Sequence, residues 1–363
     1  MRILEVAPLI APIDDRTEQV GGAQVLLADL TAGLAARGHR VTLAAAEGSH
    51  VRGAVLADLG VTGTDLRPAD LGGSAARRSD DAAQARAFAT VRAWLEAHDG
   101  QIDVVHAHAY DAPAFDLLSG GRWPVVHTLH LPPDDPGVVA AARRATGARF
   151  VTVSRANAAR WEAAGIHVDS VIQNGIDLAT VPFDPVGGHV LLHAGRISPE
   201  KGVTTALSVA RRLGRALLLV GGVYDPRYFE ERVLPAVRFL PEWWLGDAVE
   251  GAIFIGPRQR SEVFRIMGAA SALLMPVQWD EPFGLVALEA LATGTPVVAY
   301  ARGGLPEIID ATSGVLVAAD DENGFAHAVA RASGLARTAC RARAGSFPIA
   351  AMIDRYERVL AAS

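Results

Sequence analysis

Of the 34 basic side chains in this 363-residue sequence, only Lys201 is a lysine; the others are arginine. Lys201 lies in LLHAGRISPEKGVTTAL (191–207), where an apolar run ends in glycine and Arg196 stands five positions before it. Ser198 and Pro199 suit an N-cap and a first helical position, which predicts Lys201 in the first turn of a helix running to about 213. A cation there opposes the helix macrodipole at roughly a few tenths of a kcal/mol, partly offset by Glu200. Two cations and unpaired backbone N–H groups at one loop mouth suit an anion, a diphosphate above all. A compact ammonium on a flexible stem does what a planar guanidinium cannot. The competing reading is a solvated surface lysine.

A second constellation is QWDEPFGLVALEALATGTPVVAY (278–300), with Glu281 and Glu289 eight residues apart. The stretch reads as a short helix from near Gly284 to Gly294. Phe283, Gly284 and Leu285 then carry the free N–H groups of the helix start, and Gly284 admits a ligand close to the backbone. Glu281 can accept from sugar hydroxyls and Glu289 from a ribose diol. Leu285, Val286, Leu288 and Leu291 surround Glu289, so it needs a partner.

Four histidines, His106 and His108 in HAH and His127 and His130 in HTLH, are the third set. Spacings of two and three with no cysteine nearby do not form a recognised zinc pattern, so no metal is expected. His127 is read as a polar active-site group at a strand end, and His108 and His130 as open between site contacts and satisfied core histidines. His39 is read as a structural turn residue.

These residues must be positioned by alternating elements. Apolar runs at 2–7, 40–45, 103–107, 124–129, 149–154 and 170–174 read as strands, with helix-like stretches such as 22–37 and 82–98 between them. The alternation restarts at 189–194, 216–221, 252–256, 272–277 and 296–300. It predicts two doubly wound α/β domains with parallel sheets, at 1–183 and 184–347. VPFDPVGGH (181–189) reads as the linker, and the amphipathic end at about 348–363 as a helix packing back on the first domain. Ligands of such sheets lie at the carboxyl ends of the strands. The net charge of −6, with no basic cluster, argues against nucleic acid. The single cysteine, Cys340, fits a reducing cytoplasm. No apolar stretch approaches the roughly 20 residues of a membrane span.

GRISPEKG followed by the E-x7-E of EPFGLVALE resembles the retaining glycosyltransferase family 4, of GT-B fold. GGAQVLLADLTAGLAARGHRVTL (21–43), DVVHAHA (103–109), VVHTLH (125–130), TVSRANAARW (152–161), NGID (174–177) and GGLPEII (303–309) agree in order along nearly the whole chain. The resemblance implies two Rossmann-like domains facing a central cleft, an N-terminal acceptor domain, a C-terminal nucleotide-sugar domain and hexosyl transfer (EC 2.4). It implies that Gly21 and Gly22 approach the donor diphosphate, that Arg196 and Lys201 neutralise it, and that Glu281 with Phe283, Gly284 and Leu285 holds the sugar. Glu289 would take the ribose, Gly256 and Arg258 the base, His127 would lie near the reacting carbon, and His108 and His130 would contact the sugar or the acceptor.

The expected partners are a nucleotide-sugar donor, UDP by default, and a small-molecule acceptor. No cofactor is expected: cations and helix dipoles replace an Asp-x-Asp-held ion, a motif the sequence lacks. With no carboxylate identified as nucleophile, front-face attack is expected. A GT-B epimerase or phosphorylase, and a non-catalytic sugar-nucleotide-binding protein, are the alternatives. The segment 67–88, with Arg77, Arg78, Asp80 and Asp81, is open between lid, acceptor loop, membrane contact and solvated face. The segment 132–137 is open as an acceptor rim. The segment 224–247, with two tryptophans, is open to donor-side or homodimer contacts.

Overall fold

The computed structural model describes residues 1–15, 22–62, 74–243, 245 and 248–363. Gly21, all of the segment 67–73 and the second tryptophan, at 244, lie outside the described residues, as do the side chains of Arg77, Arg78, Asp80 and Asp81. The chain divides into two compact units, Met1–Gln173 with Ala350–Ser363, and Asn174–Ile349. The first boundary falls at Gln173 rather than at 183.

The strands of the first unit are β1 (Arg2–Val6), β2 (Arg40–Ala44), β3 (Ala54–Leu56), β4 (Val104–Ala107), β5 (Val125–Leu129), β6 (Arg149–Thr152) and β7 (Ser170–Val171). They form one parallel sheet in the order β3-β2-β1-β4-β5-β6-β7. The second unit repeats the plan with β8 (Leu191–Ala194), β9 (Leu217–Val220), β10 (Arg238–Phe239), β11 (Ala252–Phe254), β12 (Ala272–Met275), β13 (Val297–Tyr300) and β14 (Gly314–Val317). Their order is β10-β11-β9-β8-β12-β13-β14, again parallel. Every residue of β4, β5, β8, β9, β12 and β13 is buried. Helical crossovers cover both faces of such sheets, so their strands read as unbroken apolar runs. Strand order reverses between β1 and β4 in the first unit and between β8 and β12 in the second. Helices leave to opposite faces there, which opens space at the carboxyl ends for a ligand.

The terminal helix Ile349–Ala361 buries Met352, Ile353, Tyr356 and Leu360 in the first unit. Its Glu357 pairs with Arg37 and with His39 Nε2, the latter at 2.7 Å. His39 is thus a structural residue that also bonds the N-terminal amine at 3.1 Å.

The linker expected at 181–189 belongs instead to the body of the second unit. Arg341 donates to the Val181 carbonyl at 2.9 Å and Arg337 to that of Asp184 at 2.7 Å. The Asp184 amide donates to Thr293 O at 3.1 Å. Prolines and glycines break periodicity here without freeing the backbone, because arginines of a later helix satisfy its carbonyls. Among the described residues, no helix is long and apolar enough to cross a membrane.

The segment that follows β5 is fixed from one helix, Arg155–Ala163. Trp161 Nε1 donates to Leu131 O at 2.9 Å and Asn157 Nδ2 to Leu129 O at 3.0 Å. Trp161 is fully buried. Trp161→Ala is expected to cost about 3–5 kcal/mol, read as a lower denaturant midpoint for the first unit. A loss under about 1 kcal/mol would mean the ring is not a core anchor.

Candidate active site

In the second unit Lys201 meets Glu281 across the strand-order reversal, one on the loop after β8 and the other on the loop after β12. Lys201 Nζ donates to Glu281 Oε2 at 2.7 Å, and Trp279 Nε1 donates to the same oxygen at 2.9 Å. The ammonium also lies 4.7 Å from the centroid of a Trp279 ring, a cation–π contact. The two charged side chains are 18% and 12% exposed, so the pair is largely removed from water. Glu281 Oε1 has no hydrogen-bond partner among the described residues.

The local backbone departs from the expected single helix. Pro199–Lys201 form one 3₁₀ turn, Gly202 follows with φ +71°, and the α-helix is Val203–Arg212. Lys201 therefore ends a turn before the helix rather than sitting in its first turn. A Cβ on residue 202 would strike the Pro276 carbonyl, so only glycine allows the two loops to approach this closely. Gln278 N donates to Glu200 O at 2.8 Å and adds a second tie. The Ser198 hydroxyl donates to Glu200 Oε1 at 2.6 Å instead of capping the turn.

Arg196 shares this loop but has its own partners. It lies 3.4 Å from Glu200 Oε1, with its guanidinium 4.5 Å from the Tyr224 ring centroid. Its side chain is 32% exposed.

The helix after β12, Leu285–Thr293, begins and ends at glycines in the left-handed region, Gly284 and Gly294. The amides of Phe283, Gly284 and Leu285 have no acceptor among the described residues. Gly284 is required by its φ of +101° and by Leu305, whose Cδ2 would lie 2.6 Å from a Cβ there. Glu289 is 8% exposed and receives Arg260 Nε at 3.0 Å, the partner its apolar neighbours demand. Gly256 (φ +75°) accepts from Gly221 N at 3.0 Å. Arg258 is occupied with the carbonyls of Ile255 at 2.6 Å, Pro257 at 2.9 Å and Pro241 at 2.5 Å, so it braces the loop after β11.

In the first unit a chain of polar groups starts at the strand-order reversal between β1 and β4. Glu5 of β1 is fully buried, and its Oε2 lies 2.9 Å from His108 Nε2. Its Oε1 lies 3.2 Å from His106 Nδ1. His108 Nδ1 is 2.9 Å from His130 Nε2, and His106 Nε2 is 2.8 Å from Thr128 Oγ1. Burial alone would raise the Glu5 carboxyl, but the facing His106 and His108 outweigh it and hold it down to about 2. Burial and the adjacent His106 lower His108 to about 4, and burial with His108 lowers His130 well below its ordinary value. Glu5, His106 and His108 also bring three donor atoms close enough for a metal ion, as do Asp14, Asp15 and His50 on the surface.

His127 is not at the strand end. β5 continues to Leu129, so His127 is mid-strand, fully buried, 4.5 Å centroid to centroid from Phe115 and 5.8 Å from Phe150. Its Nδ1 has no partner, and burial lowers it to about 3. Side chains alternate along a strand, so His127 and His130 face opposite sides of the sheet. The residue beyond the strand's end is His130. Gly22 opens the helix Gly22–Ala36.

The sequence reading passed over Glu5, Trp279 and Arg260. A lone carboxylate in an otherwise apolar strand was a usable signal for Glu5, and adjacence to Glu281 one for Trp279. Nothing local marked Arg260.

Residues 20–180 match the family model described as Glycosyltransferase Family 4, and residues 188–333 the one described as Glycosyl transferases group 1. A D-inositol 3-phosphate glycosyltransferase of Mycolicibacterium smegmatis is 29% identical over 272 residues, 66% of this chain and 61% of that protein. A phosphatidyl-myo-inositol mannosyltransferase of the same species is 28% identical over 332 residues, 85% and 80% of the two chains. The matched part thus spans about three fifths of the first relative's length. The Anabaena protein HepE, solved with UDP and glucose, superposes with a TM-score of 0.73 at 20% identity, covering 100% of both chains. Such likeness establishes the fold, two Rossmann-like units of the GT-B type.

The buried histidines set a pH dependence. Folded His108, His127 and His130 take up a proton only below their ordinary 6.5, whereas the unfolded chain takes it up near 6.5. Their contribution to stability is full above 6.5 and declines as pH falls, by up to about 1.4 kcal/mol per pH unit for each. Glu5 acts in the same direction lower down, from 4.5 towards about 2. His127→Phe keeps the aromatic stack and removes one titrating group. It is expected to flatten the loss of stability between about pH 7 and about pH 5 in chemical denaturation, with turnover retained. A folded variant without turnover would show that His127 is more than a core residue.

Proposed function

The chain belongs to glycosyltransferase family 4, and from that premise we propose that it transfers a sugar from a nucleotide-sugar donor to a hydroxyl of a small acceptor. The observation that carries the reading is the Lys201–Glu281 contact at the strand-order reversal of the second unit. A diphosphate would draw on the Lys201 ammonium and on Arg196. The open Glu281 oxygen and the free amides of 283–285 would take sugar hydroxyls. Glu289, held by Arg260, would take the ribose. The HepE complex with UDP and glucose supports UDP as the nucleotide. A relative named for D-inositol 3-phosphate supports a small polar acceptor.

The reaction we propose is metal-independent and retains the anomeric configuration. The bond from the anomeric carbon to the diphosphate oxygen breaks, and the acceptor oxygen bonds to that carbon on the same face. The acceptor proton passes to the leaving phosphate. Negative charge grows on the diphosphate as the bond breaks, so Lys201 and Arg196 bind the transition state more tightly than the ground state.

Lys201→Ala is expected to lower kcat by about 10²–10³-fold and to weaken nucleoside-diphosphate binding. Calorimetry with UDP, GDP and ADP measures the binding and identifies the base. Unchanged turnover and affinity in the folded variant would remove the basis of the proposal.

A further inference from the structure

The first unit holds an ionised side chain where an apolar sheet would be expected. Glu5 is fully buried on the central strand, yet replacing buried polar clusters by well-packed apolar groups is often neutral or stabilising. Folding alone gives no reason for it. His108 Nε2 lies 2.9 Å from Oε2, and His106 Nδ1 straddles the carboxylate at 3.2 Å from Oε1 and 3.1 Å from Oε2, so both oxygens are held. His106 is in turn fixed by Thr128, which lies 3.4 Å from Tyr356 Oη of the terminal helix.

The protons can be assigned from these contacts. A carboxylate only accepts, so His108 Nε2, at 2.9 Å from Glu5, carries the hydrogen. A neutral imidazole has one N–H, so His108 Nδ1 is an acceptor. His130 Nε2, at 2.9 Å from that acceptor, must donate. His130 Nδ1 is then a lone pair, and it has no partner among the described residues. Burial keeps His108 and His130 neutral at pH 7, as the assignment needs. His130 is 9% exposed, whereas Glu5 and His106 are sealed, so the string ends at the carboxyl end of β5.

We propose that Glu5 and His108 are positioning residues that hold His130 as its Nε2–H tautomer and so present Nδ1 as a fixed acceptor for a sugar hydroxyl. The last clause rests on the proposed sugar transfer; the tautomer does not. A hydroxyl that donates to a fixed lone pair has its own lone pair and its carbon oriented, which is the service an oriented imidazole gives.

Long-range proton–nitrogen NMR of the full chain with ¹⁵N-labelled histidine tests the tautomer directly. The His130 signals are assigned by their loss in His130→Gln. The expected result is a protonated Nε2 and an unprotonated Nδ1 at neutral pH. In Glu5→Gln the side-chain amide can donate to His108 Nε2, which reverses the string, and His130 is expected to shift towards Nδ1–H. The same variant is expected to lower kcat at least about tenfold while donor KM stays within about threefold. A merely structural role would reduce the folded fraction without separating the two constants.

Wild-type His130 protonated at Nδ1, or a tautomer unaltered by Glu5→Gln, overturns the proposal. So does a stoichiometric metal in the purified protein that Glu5→Gln releases. If the variant does not fold, the wild-type spectrum still decides. If the chain transfers no sugar, the tautomer is still read, so the two failures are distinguishable.

Discussion

The ion pair between Lys201 and Glu281 is the contact on which the geometry of the loops at the second unit's strand-order reversal depends. It joins the loops that follow β8 and β12, the strands on either side of the order reversal. A pair this far from water regains its desolvation cost only when further hydrogen bonds complete it, and Trp279 supplies one. Gly202 against Pro276 and the bond from Gln278 to Glu200 hold the same two loops at backbone level. A guanidinium at 201 would bring a wide planar fork into a space closed by Glu281 and the Trp279 ring. That explains why one lysine stands in a chain that otherwise uses arginine.

The first unit places its polar set differently. Glu5 and His106 are register partners on adjacent parallel strands, within the sheet rather than on the loops above it. Each step outward is two residues, from His106 to His108 on one strand and from Thr128 to His130 on the next. A two-residue step keeps side chains on one face. The terminal helix closes that face through Tyr356, whose ring centroid is 5.1 Å from that of His106. Among the described residues of this face, Glu5 is the buried carboxylate, and burial favours the neutral forms of His108 and His130 beyond it.

Much of this was legible in the sequence. Long apolar runs bounded by Gly, Pro and Asp marked the central strands, because strands buried on both faces leave no polar positions. The glycines at 284 and 294 bounded a helix to the residue, since both ends use the left-handed region. The edge strands β3, β10 and β14 were not recovered: β3 and β10, at three and two residues, carry too little pattern, and β14 is a four-residue run that opens on a glycine. The misplacement of His127 has a simple cause. The run 124–129 reads as one strand, yet His127 was assigned to its end; Leu129 closes the strand, which gives the exposed end to His130. The expected linker failed because its backbone is held by Arg337 and Arg341, more than 150 residues away, which no local pattern can announce.

The two arrangements divide the proposed chemistry by charge. His130, neutral and fixed, can orient a hydroxyl but cannot neutralise a phosphate. In the second unit Lys201 is shared with Glu281 and Arg196 with Glu200. A weakly charged group competes poorly for cations already paired. A leaving diphosphate gains charge as its bond to the sugar breaks, and so competes better as the reaction advances. In the proposed transfer, pairing each cation with a glutamate would therefore favour the transition state over the bound donor, which unpaired lysine and arginine side chains would hold tightly from the start.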